Sequence, residues 1–401
     1  MKIIAISLFY KPIMPGFGTR YPELLIDEST KAGNNLVVFT SRVPKEYCSE
    51  PNHKLSTYKE KLGSGNLEIH RLWTTSLKHE GFFKRTLTYI SFILQCFFKI
   101  INSHDVDIIL GIHPYPPFFL PIIYLAKLKK IKFLLVEADL WPDNLKELGI
   151  IKNKTIYSLI EKWSRSAYNK ADLLIVITEE LKDGLKKYFI DKSKIKVLKL
   201  ATDTNIFKPT ELKENKSKNK FVLMYSGIFS QNYDFDVIIN AAKKLTDEKI
   251  IFILSGQGEL REKIQRKISS QNLSNILIEK PVPRLDDLVI KLNSADVLIF
   301  GMNDNLQAKT AHPSKVFEFM ACGKPIICSS TGATKNLLIK SGAGIVVDPG
   351  DHKKFSEAIL RLYHSKEDRE KLGKNGLDYV RKYHSLETFR EQLSKIFSKL
   401  S

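Results

Sequence analysis

The chain has 401 residues, 43% hydrophobic and 27% charged, enough for two buried cores and too apolar for a disordered chain. Lys+Arg 63 against Asp+Glu 44 leaves a net charge of +19, which suits acidic membranes, phosphorylated ligands or nucleic acid. Its four cysteines, Cys48, Cys96, Cys322 and Cys328, form no C-x-x-C pair, which argues against a disulfide scaffold or zinc finger and for a reducing, cytoplasmic compartment.

The first apolar run, Ile3–Phe9, is too short for a secretory signal and reads as a buried strand. A helix over Tyr21–Ala32 and a strand over Leu36–Thr40 follow. From Phe83 to Ile101 apolar residues recur at helical spacing: Phe83, Leu87, Ile90, Leu94, Phe97 and Ile101. Tyr89, Phe92 and Ile100 widen that surface. The helix is shorter than the ~20 apolar residues of a membrane span. It is either a core helix or one whose aromatic, basic-flanked face dips into a bilayer. Strands over Ile108–Ile112, Phe133–Val136, Leu173–Thr178 and Ile195–Leu198 complete a first α/β half, with a helix over Thr155–Asn169. About +11 of the charge excess lies up to Leu200, so this half is the more basic one.

A lysine-rich polar break, Glu211–Lys220, separates it from a second alternation. Strands are expected at Phe221–Tyr225, Ile250–Leu254, Ile276–Ile278, Val297–Phe300, Pro325–Cys328 and Gly344–Val347. Helices are expected at Asp236–Leu245, Leu260–Ser270, Pro313–Ala321, Lys353–Tyr363 and Leu386–Ser398. Continuous apolar strands alternating with helices predict two parallel-sheet α/β domains. Such sheets bind ligands beyond the carboxyl ends of their strands. No RNA-recognition, KH, zinc-finger or basic-zipper pattern is present, which sets nucleic acid aside as a partner.

Three strand ends carry glycines. Gly16 and Gly18 follow the first strand and precede Arg20; they admit a backbone close to an anionic group, though a plain turn accounts for them equally well. Gly227 follows Phe221–Tyr225, and Gly256 and Gly258 follow Ile250–Leu254. Together they point to a nucleotide cleft. Further on, Pro313 and Ser314 open a helix that Gly323 ends. Lys315 stands in its first turn, against the helix dipole, which marks it as a candidate diphosphate contact. Glu318, one turn on, is placed to accept bonds from two ribose hydroxyls, or is an exposed charge or a partner of Lys315.

In the first half His113 ends a strand beside Tyr115, Pro116 and Pro117, as a cleft histidine or a structural one. Glu137 and Asp139 flank another strand end, where Asp139 can deprotonate an acceptor hydroxyl or cap the next turn. Asp105-Val106-Asp107 has the D-x-D form of a metal motif, but it precedes its strand, at the wrong end for an α/β site. No metal is expected.

The second-half features occur in the order Tyr225-Ser226-Gly227, Gly256-Gln257-Gly258, Pro281-Val282-Pro283-Arg284, Ala295-Asp296-Val297, Lys315–Pro325 and Gly342–Val347. This order resembles glycosyltransferase family four, with its GT-B fold of two Rossmann-like domains facing a central cleft. Asp139-Leu140-Trp141-Pro142 and Pro116-Pro117 resemble the branch of O-antigen N-acetylfucosamine and related amino-sugar transferases. The resemblance implies a retaining, metal-independent transfer from a nucleotide-sugar donor, UDP-linked favoured, with no other cofactor. Together with the basic first half and its aromatic helix, it points to a lipid-linked or glycan acceptor, work at the cytoplasmic face of an anionic membrane, and a role in cell-surface polysaccharide synthesis. It implies an acceptor domain over 1–203, a donor domain over 204–382, and a C-terminal helix over 383–401 returning to the first domain. Glu318 matches the family's ribose-binding glutamate, Val282 and Pro283 the loop beside the base, and Ser314 and Lys315 the branch's Pro-Ser-Lys segment. Arg20, Tyr115 and Glu137 are assigned to the acceptor; His113, Asp139 and Lys315 to catalysis.

The chain departs from the family in two places. Thr310 stands where many members carry a first glutamate, and the phosphate-binding Arg and Lys after Gly227 are missing. Lys315, Arg284 or Arg20 must then stabilise the departing diphosphate. The alternatives are a nucleotide-sugar epimerase on the same fold or a nucleotide-sugar-binding protein without catalysis.

Overall fold

The computed structural model describes residues 1–11, 20–42, 58–75, 81–112, 114–210, 220–282 and 284–400. The chain forms two compact units, Met1–Lys199 with Phe389–Ser401, and Leu200–Thr388.

The first unit is built on eight strands: β1 (Lys2–Ile6), β2 (Asn35–Ser41), β3 (Tyr58–Leu62), β4 (Gly65–Leu72), β5 (Ile108–Gly111), β6 (Lys132–Glu137), β7 (Leu173–Val176) and β8 (Ile195–Val197). They lie in the order β3-β4-β2-β1-β5-β6-β7-β8. All pairs are parallel except β3 with β4. Ile3, Ile4, Ala5 and Ile6 are buried, as both-sided helix cover demands of an apolar run. The β3–β4 hairpin was not expected from the sequence. Only alternate residues of β4, such as Leu67 and Ile69, are apolar and buried, and Gly63 turns the chain at a φ of +63°. At the sheet entrance Asp107 accepts the Lys2 backbone N–H at 2.8 Å, so the D-x-D carboxylate closes the ladder between the starts of β1 and β5.

The helix Gly81–Ile101 buries Tyr89, Phe92, Ile93, Cys96 and Ile100 and turns Phe83, Leu87, Ile90, Leu94, Phe98 and Ile101 to solvent. Most of the stripe picked out by spacing is therefore the outer face, and the residues thought to widen it form the core. No described helix is long and apolar enough to cross a membrane. The chain end belongs to this unit: Phe389 packs edge-on against Tyr21, and Arg390 pairs with the buried Glu28.

The second unit has six parallel strands: β9 (Phe221–Ile228), β10 (Ile250–Gln257), β11 (Ile276–Glu279), β12 (Val297–Gly301), β13 (Ile326–Ser329) and β14 (Gly344–Val347). Their order is β11-β10-β9-β12-β13-β14. Counted within the unit this is 3-2-1-4-5-6, the Rossmann order, which opens a crevice where the winding reverses, between β9 and β12. The seven parallel-connected strands of the first unit follow the same rule, with the reversal between β1 and β5. The fold is thus α/β with two Rossmann-like sheets. The reversal point of the second unit coincides with a strand end singled out from the sequence, Gly227 after the apolar part of β9.

Candidate functional site

In the second unit β9 and β10 are in register with Gly227 opposite Gly256. A Cβ on Gly256 would lie 1.8 Å from the Gly227 carbonyl oxygen, and one on Gly258, at a φ of +148°, would lie 2.4 Å from the Phe229 carbonyl oxygen. These two glycines make room for the chain's own β9 end. Arg261 fastens the same corner, donating to the carbonyls of Gly256 and Glu279.

Gly227 has a different neighbour. Its φ is also +148°, and a Cβ there would sit 2.3 Å from Lys315 Nζ. Lys315 opens the helix Lys315–Ala321 and is only 9% exposed. Its Nζ donates to Tyr225 Oη at 2.8 Å and lies 4.1 and 4.0 Å from the ring centres of Tyr225 and Tyr233. Tyr225 Oη in turn donates to the Ile228 carbonyl at 2.6 Å. A bridge between Tyr233 and Met302 ties the loop after β9 to the end of β12, so both rings stand at the crevice. No carboxylate forms an ion pair with Lys315 among the described residues. Burial pushes its amine down to about 7, and the nearby charge of Glu318 works the other way.

The other expected donor residues are less enclosed. Glu318 is half-buried on the same helix and Val282 is half-buried ahead of the helix Leu285–Ser294. Ser314 is exposed and makes no capping bond. The Arg284 side chain is 73% exposed, 4.0 Å from Asp286. Of the cations considered for a departing diphosphate, Lys315 is the one seated against Gly227. Thr310 is buried, and its hydroxyl donates to the Leu306 carbonyl at 2.8 Å. Tyr225 and Tyr233 had no place in the sequence-based site. Tyr225 entered only as part of the Tyr225-Ser226-Gly227 motif, and Tyr233 not at all.

In the first unit Glu137 ends β6, 6% exposed, and Asp139 follows two residues on. Burial pushes the Asp139 carboxyl up to about 6. It pushes Glu137 well above the carboxylate range, with the Asp139 charge adding to the shift. Burial thus raises both carboxyls, and Asp139, at about 6, comes within reach of proton exchange near neutrality. Asp139 caps no helix: the short helix Asp143–Glu147 has Pro142 at its N-cap. Tyr115 stacks on Trp141 at 4.8 Å between ring centres, with Tyr89 edge-on at 5.6 Å. The Trp141–Pro142 peptide is cis. The segment is anchored by Tyr168, which donates to the Trp141 carbonyl at 2.8 Å, and by Tyr157 and Tyr188, which both donate to Asp143 at 2.8 Å. Arg20 opens the helix Arg20–Lys31. Gly16, Gly18, His113 and Pro283 lie outside the described residues.

Known proteins share this architecture. Residues 18–206 match the family Glycosyltransferase Family 4, and residues 207–378 match Glycosyl transferases group 1. The uncharacterized glycosyltransferase MJ1069 of Methanocaldococcus jannaschii is 21% identical, over 100% of this chain and 99% of its own. Sucrose-phosphate synthase from Thermosynechococcus elongatus superposes with a TM-score of 0.81 at 17% identity, covering 100% of this chain and 99% of that one. HepE of Anabaena, solved in complex with UDP-glucose, superposes with a TM-score of 0.71 at 15% identity, covering 100% of both chains. The two family matches run end to end across both Rossmann-like units, and the chain belongs to the GT-B glycosyltransferases that join a Family 4 half to a group 1 half.

Proposed function

We propose that this glycosyltransferase moves a sugar, of the N-acetylated amino-sugar kind, from a UDP-sugar to a lipid-linked glycan acceptor, with retention and without a metal, in cell-surface polysaccharide synthesis. The observation that carries the donor half is the buried Lys315 ammonium at the β9 end, beside Gly227 and one turn from Glu318. A departing diphosphate develops charge that a fixed cation in a dry site stabilises strongly, and Lys315 supplies it where the family's loop cations are missing. HepE's complex with UDP-glucose supports the choice of uridine. Asp139-Leu140-Trp141-Pro142, with Tyr115 stacked on Trp141, supports the amino-sugar branch.

In the reaction the acceptor oxygen bonds to the anomeric carbon on the face from which the diphosphate leaves, so configuration is retained, as the bond from that carbon to the diphosphate oxygen breaks. The electron pair leaves with UDP, and the acceptor proton passes to Asp139. The acceptor is proposed to be membrane-borne because three neighbouring helices of the first unit, Gly81–Ile101, Leu120–Leu128 and Lys154–Lys170, expose Leu94, Phe98, Leu128 and Trp163. Exposed Lys99, Lys127 and Lys162 lie among them. Exposed apolar side chains with exposed lysines next to them in the chain suit the acidic inner face of a cell membrane.

The test is UDP release from a panel of UDP-sugars with added membrane lipid, comparing wild type with the double variant Lys315→Ala/Glu318→Ala. The variant is expected to lose turnover; wild-type turnover overturns the donor-site assignment. Conversion of a UDP-sugar to its epimer without acceptor would assign an epimerase instead.

A further inference from the structure

We propose that Tyr225 and Tyr233 form an aromatic cage that positions Lys315 as a proton-linked receptor for the donor's diphosphate, so that nucleotide-sugar binding takes up a proton at this lysine. The inference rests on the donor site proposed above and adds the residues that set its charge. An ammonium carries three N–H donors. Here one is spent on Tyr225 Oη at 2.8 Å, and Lys315 has no other hydrogen bond among the described residues. A lysine this deeply buried, with two donors unspent, lacks the partner that would compensate its desolvation. The two ring faces, at 4.1 and 4.0 Å, hold the charge weakly and aim it. Gly227 leaves the space in which Nζ sits. The cage is braced from behind: Tyr225 is edge-on to Phe235 at 5.1 Å and donates to the Ile228 carbonyl. The arrangement keeps the cation in place without neutralising it, as a carboxylate partner would.

The groups facing Lys315 are few. Tyr225 comes from β9, Tyr233 from the loop after it, and Glu318 from its own helix. Cys328 on β13 is close enough to Tyr233 to interact with it electrostatically. Burial pushes the two phenols and the Cys328 thiol up, so they stay neutral through the neutral range, while it pushes the Lys315 amine down to about 7. With the site empty the lysine then exists as a mixture of amine and ammonium. A diphosphate selects the ammonium and draws in the missing proton.

The test uses UDP-glucose, whose diphosphate is fully ionised throughout, titrated calorimetrically into the full chain at pH 6, 7 and 8 in two buffers of different ionisation heat. Binding is expected to weaken about tenfold from pH 6 to pH 8. The observed heat at pH 7 is expected to depend on the buffer in the sense of proton uptake. Tyr225→Phe removes the one hydrogen bond while keeping the ring. It should weaken binding at pH 7 about tenfold and move the midpoint of the pH dependence to lower pH. Tyr233→Leu should act in the same direction, and Lys315→Met should abolish the pH dependence. Thermal melting checks that each variant is folded, and the two cage variants are read independently. UDP-glucose binding that is independent of pH and buffer overturns the cage and leaves the donor site standing. Failure of both UDP-glucose and UDP-N-acetylglucosamine to bind at any pH overturns both.

Discussion

Replacing Gly227 or Gly256 with alanine adds one methyl group at facing positions of the same strand pair, and the two substitutions should fail differently. At Gly256 the new Cβ would lie 1.8 Å from the Gly227 carbonyl oxygen and 3.0 Å from its carbon. Both obstacles are backbone, one pair from the end of a parallel ladder, so relief requires the ends of β9 and β10 to part. The expected cost is more than about 4 kcal/mol, in the range reserved for severe overpacking. At Gly227 the nearest atom, at 2.3 Å, is the tip of the Lys315 side chain, with Lys315 Cε at 3.0 Å and Tyr225 Oη at 3.3 Å. A side-chain tip can move. The remaining cost is the backbone at a φ of +148°, about 1–3 kcal/mol. Gly227→Ala should therefore fold with a modest loss of stability but displace the ammonium from its cage, weakening UDP-glucose binding by far more than the stability change suggests. Urea denaturation and calorimetric titration of both variants give the two numbers. A Gly227→Ala protein that binds like wild type, or a Gly256→Ala protein as stable as wild type, refutes the reasoning.

Asp139 should link stability and activity to pH in opposite senses. Its folded carboxyl is raised to about 6, so the protonated form stabilises the fold below about pH 4 and that contribution is lost as pH rises through 6. The loss is on the order of 2–3 kcal/mol. Asp139→Asn should flatten that loss in pH-dependent urea melts and slow transfer about 10²- to 10⁴-fold; an unchanged stability profile removes the half-buried carboxylate from the account. Thr310→Val should cost about 1 kcal/mol in denaturation, because its hydroxyl is spent on Leu306, and leave the KM for donor unchanged. A many-fold rise in that KM would mean that the threonine reaches the sugar. Charging the exposed helix face with Leu94→Asp and Phe98→Asp should weaken binding to phosphatidylserine vesicles about 100-fold or more, given about 1.5–3 kcal/mol per large apolar side chain. Undiminished vesicle binding sinks the membrane reading.

The class of fold and most of the strands were legible in the residue pattern. Continuous apolar runs such as Ile3–Ile6 and Ile108–Leu110 can be buried on both faces only in a helix-covered parallel sheet. The pattern also drew attention to Gly227, Gly256 and Lys315, because glycine at a strand end and lysine in a helix's first turn contradict local preference and need a reason. What it lacked was direction. Spacing groups Phe83, Leu87, Ile90 and Leu94 on one helix face without saying whether that face looks inward, and tertiary packing turned it outward. The β3–β4 hairpin was hidden because only alternate residues of β4 are apolar. Spacing likewise gave Lys315 no neighbour beyond its own helix. The Rossmann winding brings the helix Lys315–Ala321 to the end of β9, 90 residues earlier in the chain, and only there does the lysine meet Tyr225 and Tyr233. Whether a charge is paired or held waiting for a ligand depends on contacts that are distant in sequence, and so it was decided by the tertiary structure.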